Sequence, residues 1–146
     1  MRMQLLRKVA SFGTDPEVLK TIYIQIIRVI LEQSCQVWDG GLTRKNRKNL
    51  EKCQKICLRI IFPNVKYKEA LKKLNLEDLQ TRRTKLNLKF AKINSKEGKL
   101  SKLFKLNPKI HTMNTRHTQT YTTMAHTKRY QNSPILMMEN LLNKLK

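Results

Sequence analysis

The sequence predicts an all-α protein, an irregular bundle of about five main helices with an extended, basic, Thr-rich segment before the last helix. Apolar residues recur at steps of three and four along most of the chain, and helix-start residues precede these runs. Only 4 Gly and 4 Pro interrupt the 146 residues. A chain of this length buries roughly 68–70% of its unfolded surface, enough for one core. We predict a helical module over residues 1–107, the extended segment over 108–133 and a C-terminal helix over 134–146.

The first strong helix signal begins at Asp15, an N-cap residue followed by Pro16 at the first helical position. Apolar residues after it occupy nearly every helical face, which is typical of a buried, central helix. A glycine pair follows Trp38. The pattern therefore predicts one continuous helix over residues 15–38.

The next predicted helix is amphipathic, capped by Thr43 and ended by Pro63. One stripe is apolar and consists of Leu50, Cys53, Cys57, Ile60 and Ile61. The opposite face is purely basic and consists of Lys48, Lys52, Lys55 and Arg59. Steps of three and four place these four cations on one side of the helix.

A short helix over residues 67–74 is followed by a longer one over residues 76–96. The longer helix has an apolar stripe of Leu79, Leu86, Phe90 and Ile93. It also has a basic row of Arg82, Lys85, Lys89, Lys92 and Lys96. Like charges at this spacing weaken a helix by about 0.2–0.5 kcal/mol per pair, so the row favours a bound anion over a stabilising role.

The segment before the last helix changes character, with seven threonines over residues 112–127. Threonine prefers extended backbone, which predicts loop and short strand. Lys128 and Arg129 stand beside Tyr130, and aromatic rings among cations are typical of single-strand stacking sites. Tyr121 lies in the same acid-free stretch. The alternative for Tyr130 is packing against the last helix.

Trp38 and the cysteines have simpler interpretations as core residues. Trp38 is either a platform for a nucleobase or, as we favour, a core anchor beside Val37. Cys53 and Cys57 fall in the apolar stripe, and no Cys or His spacing matches a usual pair of close zinc ligands. We therefore predict no metal and no cofactor, and reduced thiols in an intracellular compartment, either the nucleus or a cytoplasmic ribonucleoprotein.

The charge of the chain restricts its function more than any motif. Lys and Arg number 31 against 10 Asp and Glu, and residues 98–138 contain seven basic residues and no acid. This imbalance predicts a polyanionic partner, most commonly nucleic acid. The only adjacent acids, Glu77 and Asp78, begin a helix and complement its dipole, and no Gly-rich phosphate loop exists. Because the sequence has neither of these catalytic signatures, we expect no catalysis. No apolar run is long enough for a membrane span, so we expect no membrane contact either.

Four stretches, in order, resemble the polyproteins of jockey-like non-LTR retrotransposons, the LINE elements. They read LKTIYIQIIRVILEQSCQVW from Leu19, LEKCQKICLRIIF from Leu50, YKEALKKLNLEDLQTRRTKLNLKFAKI from Tyr67 and KRYQNSPI from Lys128. The match departs from the family pattern at Val29 and Gln33, where proline and an aromatic residue are frequent. Together the four stretches span residues 19–135 of the chain, in the same order as in the family.

The resemblance implies the end of the thumb and the helical region beyond it in a reverse transcriptase, an RNA-directed DNA polymerase. The aromatic-Ala-Asp-Asp strand of the palm and the endonuclease have no counterpart here, so no catalytic residue transfers to this chain. The expected function is non-catalytic, sequence-independent binding of RNA or template–primer backbone, with the missing palm and fingers as a further partner. We expect a truncated element or an incomplete gene model.

Two other classes fit the residues. One is a free-standing basic nucleic-acid-binding or ribosome-associated protein, and the other is a helical interaction module for an acidic protein. A strong dependence of affinity on salt distinguishes nucleic acid from an apolar partner.

Overall fold

The computed structural model describes residues 2–96, 100–104 and 124–144, and these residues form helices and no strand. The predicted all-α class is confirmed. Most of the predicted Thr-rich segment, with Tyr121, lies outside the described residues, and residues 124–127 have no regular structure. The extended prediction is wrong for Lys128–Gln131, which form a short helix because the Thr127 side chain caps it. The division predicted at residues 107 and 133 stays a prediction, because its first boundary also lies outside them.

Nine α-helices are present in the part of the chain that the structure describes. They are α1 Arg2–Ser11, α2 Pro16–Ile22, α3 Val29–Glu32, α4 Cys35–Trp38, α5 Arg44–Ile61, α6 Tyr67–Lys73, α7 Leu79–Lys96, α8 Lys128–Gln131 and α9 Pro134–Lys144. A π-helical segment, Tyr23–Arg28, joins α2 to α3, and single 3₁₀ turns form at Asp39–Gly41 and Ser101–Leu103. No described helix is both long and apolar enough to cross a membrane.

The prediction of one continuous helix over residues 15–38 is wrong. Its start is as expected, because Asp15 accepts a hydrogen bond from the Glu17 N–H at 3.2 Å. The helix widens into the π segment and then stops at Ser34, whose φ of 51° lies in the left-handed region. A helix cannot continue through this conformation. The helix is also not buried all round, since Val29 is 56% exposed.

The described residues divide into two compact units. The first consists of Met1–Ser34 and Thr43–Arg83. Its buried apolar cluster joins α1, α2, the π segment, α5 and α6, and includes Leu6, Leu19, Tyr23, Ile27, Cys57, Leu58, Ile61, Ala70 and Leu74. Leu6 of α1 is completely buried in this cluster, so the N-terminal helix packs within its own unit.

The second unit consists of Cys35–Leu42 and Thr84–Lys146. Asn87 is 1% exposed and donates a hydrogen bond to the Asp39 carboxylate at 3.2 Å. The Cys35 thiol donates to the Asn87 side-chain oxygen at 3.5 Å. Gly40 lies so close to Asn132 that an added Cβ would be 2.3 Å from its carbonyl oxygen. These contacts hold the short 35–42 segment in this unit although it is distant in sequence from most of it.

The buried face of α7 coincides only in part with the predicted apolar stripe, because Leu79 is buried and Phe90 is partly buried against the cluster that contains Ala91. The buried residues of α7 are Leu79, Arg83, Asn87 and Ala91, spaced four apart. Ile93, a member of the predicted stripe, is 60% exposed. The helix also begins three residues later than predicted, because the Asp78 carboxylate accepts from the Thr81 N–H at 2.9 Å and caps it.

Candidate nucleic-acid interface

The outer face of α5 is cationic, as its spacing predicts. Thr43 caps the helix by accepting from the Asn46 N–H at 3.2 Å. The inner face buries Gln54, Cys57, Leu58 and Ile61. The outer face exposes Lys48, Lys52, Lys55 and Arg59.

The single acidic residue of α5, Glu51, takes part in a polar network and does not line the groove formed by Lys52, Lys55 and Arg59. The Tyr67 hydroxyl donates to its carboxylate, and the Leu79 N–H donates to the same carboxylate at 3.2 Å. Gln54 donates to the Tyr67 oxygen at 3.2 Å and accepts from the Tyr23 hydroxyl at 2.8 Å. Burial and the bond to Glu51 raise the pKa of Tyr67 well above its ordinary value. The Glu51 carboxylate therefore accepts its hydrogen bonds from groups of the first unit.

Three of the four predicted cations line one groove of about 550 Å³ beside α5. Lys52, Lys55 and Arg59 form its α5 wall, and Lys66 and Tyr67 lie in the wall formed by the turn and α6. The Lys55 ammonium lies 5.2 Å from the centre of the Tyr67 ring, a cation–π contact that orients it. We call the groove lined by Lys52, Lys55, Arg59, Lys66 and Tyr67 the α5 groove. Sequence periodicity missed Lys66, because it follows a turn and belongs to no helical stripe.

Lys48 lies apart from the α5 groove. It lines a second depression of about 490 Å³ with Arg44 and Arg47, and this depression also contains Glu51 and Asp78. Burial opposes ionisation of Asp78, but hydrogen bonds from Thr81 outweigh it and lower the pKa of that carboxyl. The acids make this depression a weaker anion site than the α5 groove.

Only three members of the predicted basic row of α7 are described as exposed. Lys85, Lys89 and Lys92 are exposed, and nothing is described of the Lys96 side chain. Arg82 is half-buried, and its Nε lies 3.5 Å from the Glu32 carboxylate.

Glu32 also accepts a bond of 2.6 Å from the Arg28 guanidinium. Glu32 is therefore shared by Arg28, whose side chain is largely buried, and the half-buried Arg82, both within the first unit. Arg82 is less available to an outside anion than the lysines that follow it on α7.

Two residues that are far apart in the sequence, Trp38 and Tyr130, lie in the same groove of the second unit. Trp38 and Val37 line a groove of about 660 Å³ together with Arg129 and Tyr130. Trp38 is half-buried, so the predicted core anchor is met in part, but Val37 beside it is 69% exposed and does not share that position. Lys128 is exposed but does not line this groove. We call the groove lined by Trp38, Arg129 and Tyr130 the Trp38 groove.

The Trp38 groove has ten lining residues. They are Val37, Trp38, Gly41, Leu42, Thr127, Arg129, Tyr130, Asn132, Ser133 and Pro134. The sequence did not predict this meeting, because residues about ninety positions apart are joined only by the tertiary fold.

The cysteines lie where core packing places them. Cys57 is completely buried and Cys53 is half-buried. Burial, with a smaller contribution from Cys53, raises the pKa of the Cys57 thiol to about 11. Among residues 2–96, 100–104 and 124–144, no three His, Cys, Asp or Glu side chains are grouped as a metal site requires. His111 and His117 lie outside these ranges.

Comparisons with protein-family models, curated proteins and solved structures find no match to this chain.

Proposed function

We propose that this protein binds nucleic acid through its phosphate backbone, without reading sequence, and that the α5 groove is the main contact. The observation that carries the proposal is the position of Glu51 outside the groove, which leaves no α5 carboxylate among Lys52, Lys55 and Arg59. Lysine ammonium groups on a rigid helix match phosphates and not base edges. The net charge of +21 supplies the long-range attraction that such binding needs.

The resemblance to LINE polyproteins gives this activity a setting. In a complete reverse transcriptase, the corresponding thumb and post-thumb region would hold the template–primer or the element's RNA, and the palm and fingers of that enzyme would be its partner. The sequence contains no aromatic-Ala-Asp-Asp motif, which the palm of such a polymerase carries. We therefore expect binding without primer extension.

The test measures affinity for a mixed-sequence duplex by fluorescence anisotropy at several salt concentrations. Each phosphate neutralised contributes about 0.9 to the slope of log affinity against log salt. The triple variant Lys52→Gln, Lys55→Gln, Arg59→Gln should flatten the slope by up to about 2.7. All duplex sequences should weaken about equally, since no base is read.

A matched control removes three exposed lysines of the same unit that lie outside the α5 groove, Lys8, Lys68 and Lys72, each changed to Gln. It has the same net charge as the groove variant and should retain most of the slope. A further variant, Lys89→Gln with Lys92→Gln, tests the α7 row separately. If the groove and control variants lose the same slope, the effect is one of total charge and the α5 groove is not the site.

A further inference from the structure

We propose that the Trp38 groove binds an unpaired nucleobase of a single-stranded nucleic acid, stacked against Trp38 and Tyr130, with Arg129 at the adjacent phosphate. This site is distinct from the α5 groove, which contacts backbone only. The two proposals concern different units and different parts of a nucleotide, so each can fail without the other.

The size and lining of the groove fit one base better than a backbone segment alone. Its volume of about 660 Å³ lies within the roughly 300–1,000 Å³ typical of small-ligand clefts. Trp38 is half-buried and Tyr130 is 48% exposed, so both rings have area left for a ligand. Flat apolar rings in a cleft favour a flat, aromatic occupant.

The polar part of the groove favours a nucleotide over an apolar peptide. None of its ten lining residues is acidic, and Arg129 supplies a guanidinium that matches phosphate geometry. Thr127, Asn132 and Ser133 add hydrogen-bonding groups that suit the edge of a base. An apolar partner would make no favourable contact with the guanidinium. A nucleotide would contact the aromatic rings with its base and the guanidinium with its phosphate.

The groove is a built feature of this unit because its two walls are locked together. The backbone of Asn132 contacts Gly40 closely enough that an added Cβ would clash at 2.3 Å. The short helix that carries Tyr130 is also fixed at both ends. The Tyr130 N–H donates to the Thr127 hydroxyl at 3.2 Å, and the Ser133 N–H donates to the Tyr130 carbonyl at 3.0 Å.

The test uses Trp38 itself, because it is the only tryptophan of the chain. The 146-residue protein is titrated with an oligothymidylate and, separately, with an abasic oligonucleotide of equal length that has the same phosphates and no bases. A stacked base should quench and shift the tryptophan emission, and the abasic strand should leave it nearly unchanged.

Tyr130→Ala should weaken binding of the oligothymidylate about 5- to 150-fold, the range expected for one stacking contact. It should leave binding of the abasic strand unchanged. Tyr130→Phe keeps the ring and should bind as the parent does. Arg129→Gln should weaken both strands more than Lys128→Gln does, since the two variants lose equal charge and only Arg129 lines the groove.

Two outcomes would overturn the proposal. One is an identical emission response to the base-bearing and abasic strands in the unmodified protein, a measurement that needs no variant to fold. The other is an equal loss of affinity for both strands in Tyr130→Ala. Either result would leave the salt dependence of the α5 groove untouched, so the two proposals are separately decided.

Discussion

Gln54 is the residue whose replacement most sharply tests the structure of the first unit. It is 1% exposed, and its amide bonds to the π segment, to α6 and to the backbone just before α7. It accepts from the Tyr23 hydroxyl at 2.8 Å and donates to the Tyr67 oxygen at 3.2 Å and to the Glu77 carbonyl at 2.9 Å. Replacement by Leu removes all three bonds without removing much volume.

The magnitude follows from which groups lose their partners. Tyr67 still donates to Glu51, so two interactions are lost: the Tyr23 hydroxyl loses its acceptor, and the Glu77 carbonyl loses its bond from Gln54. Each of these two losses costs about 1–3 kcal/mol of stability. The methyl groups of leucine that replace the amide offset this by about 0.8 kcal/mol each, because they are buried. We expect Gln54→Leu to lower the free energy of unfolding by about 2–3 kcal/mol.

The assay is urea unfolding followed by the helical circular dichroism signal. The double variant Gln54→Leu, Tyr23→Phe should be less destabilised than the sum of its single variants by about 1–2 kcal/mol, because it no longer leaves the Tyr23 hydroxyl unpaired. A change of less than about 0.5 kcal/mol in Gln54→Leu, the size of an ordinary surface substitution, would refute the buried network.

Three further predictions test the second unit and the cysteines. Gly40→Ala should destabilise by about 1–3 kcal/mol in thermal melts because its Cβ meets the Asn132 carbonyl, whereas Gly41→Ala, with nothing within 4 Å, should not; equal effects would contradict the close approach. Burial raises the pKa of Glu139, so its contribution to stability is full below the pKa of the unfolded side chain and is lost as pH rises through the folded value. Glu139→Gln should therefore raise the melting temperature at pH 7 and change it little at pH 4, and an equal shift at both pH values would count against this. With its pKa near 11, Cys57 should react with a thiol reagent at pH 8 far more slowly than Cys53, and elemental analysis should find no stoichiometric zinc; one zinc per chain would contradict the core assignment.

The sequence by itself determined most helices and the character of α5. Local signals suffice where the chain caps its own helix, as Asp15 and Thr43 do, because the donor and acceptor lie within three residues. The basic face of α5 was also predictable, since a helical repeat places residues on a face whatever surrounds the helix.

Tertiary contacts decided what periodicity could not. The break at Ser34 has no Gly or Pro to announce it, and the 35–42 segment joins the second unit through Asn87 and Asn132. Arg83 and Asn87 are buried on α7 because the surroundings of the helix, and not the polarity of its residues, select the buried face.

The same distinction applies to the candidate sites. The spacing of basic residues predicted three members of the α5 groove, but only the fold adds Lys66 and places the Glu51 carboxylate outside the groove. Trp38 and Tyr130 were judged separately in the sequence and meet in one groove in the structure. A helical face is a property of consecutive residues, whereas a groove is formed by segments that the chain brings together from far apart, and only the packing of those segments specifies it.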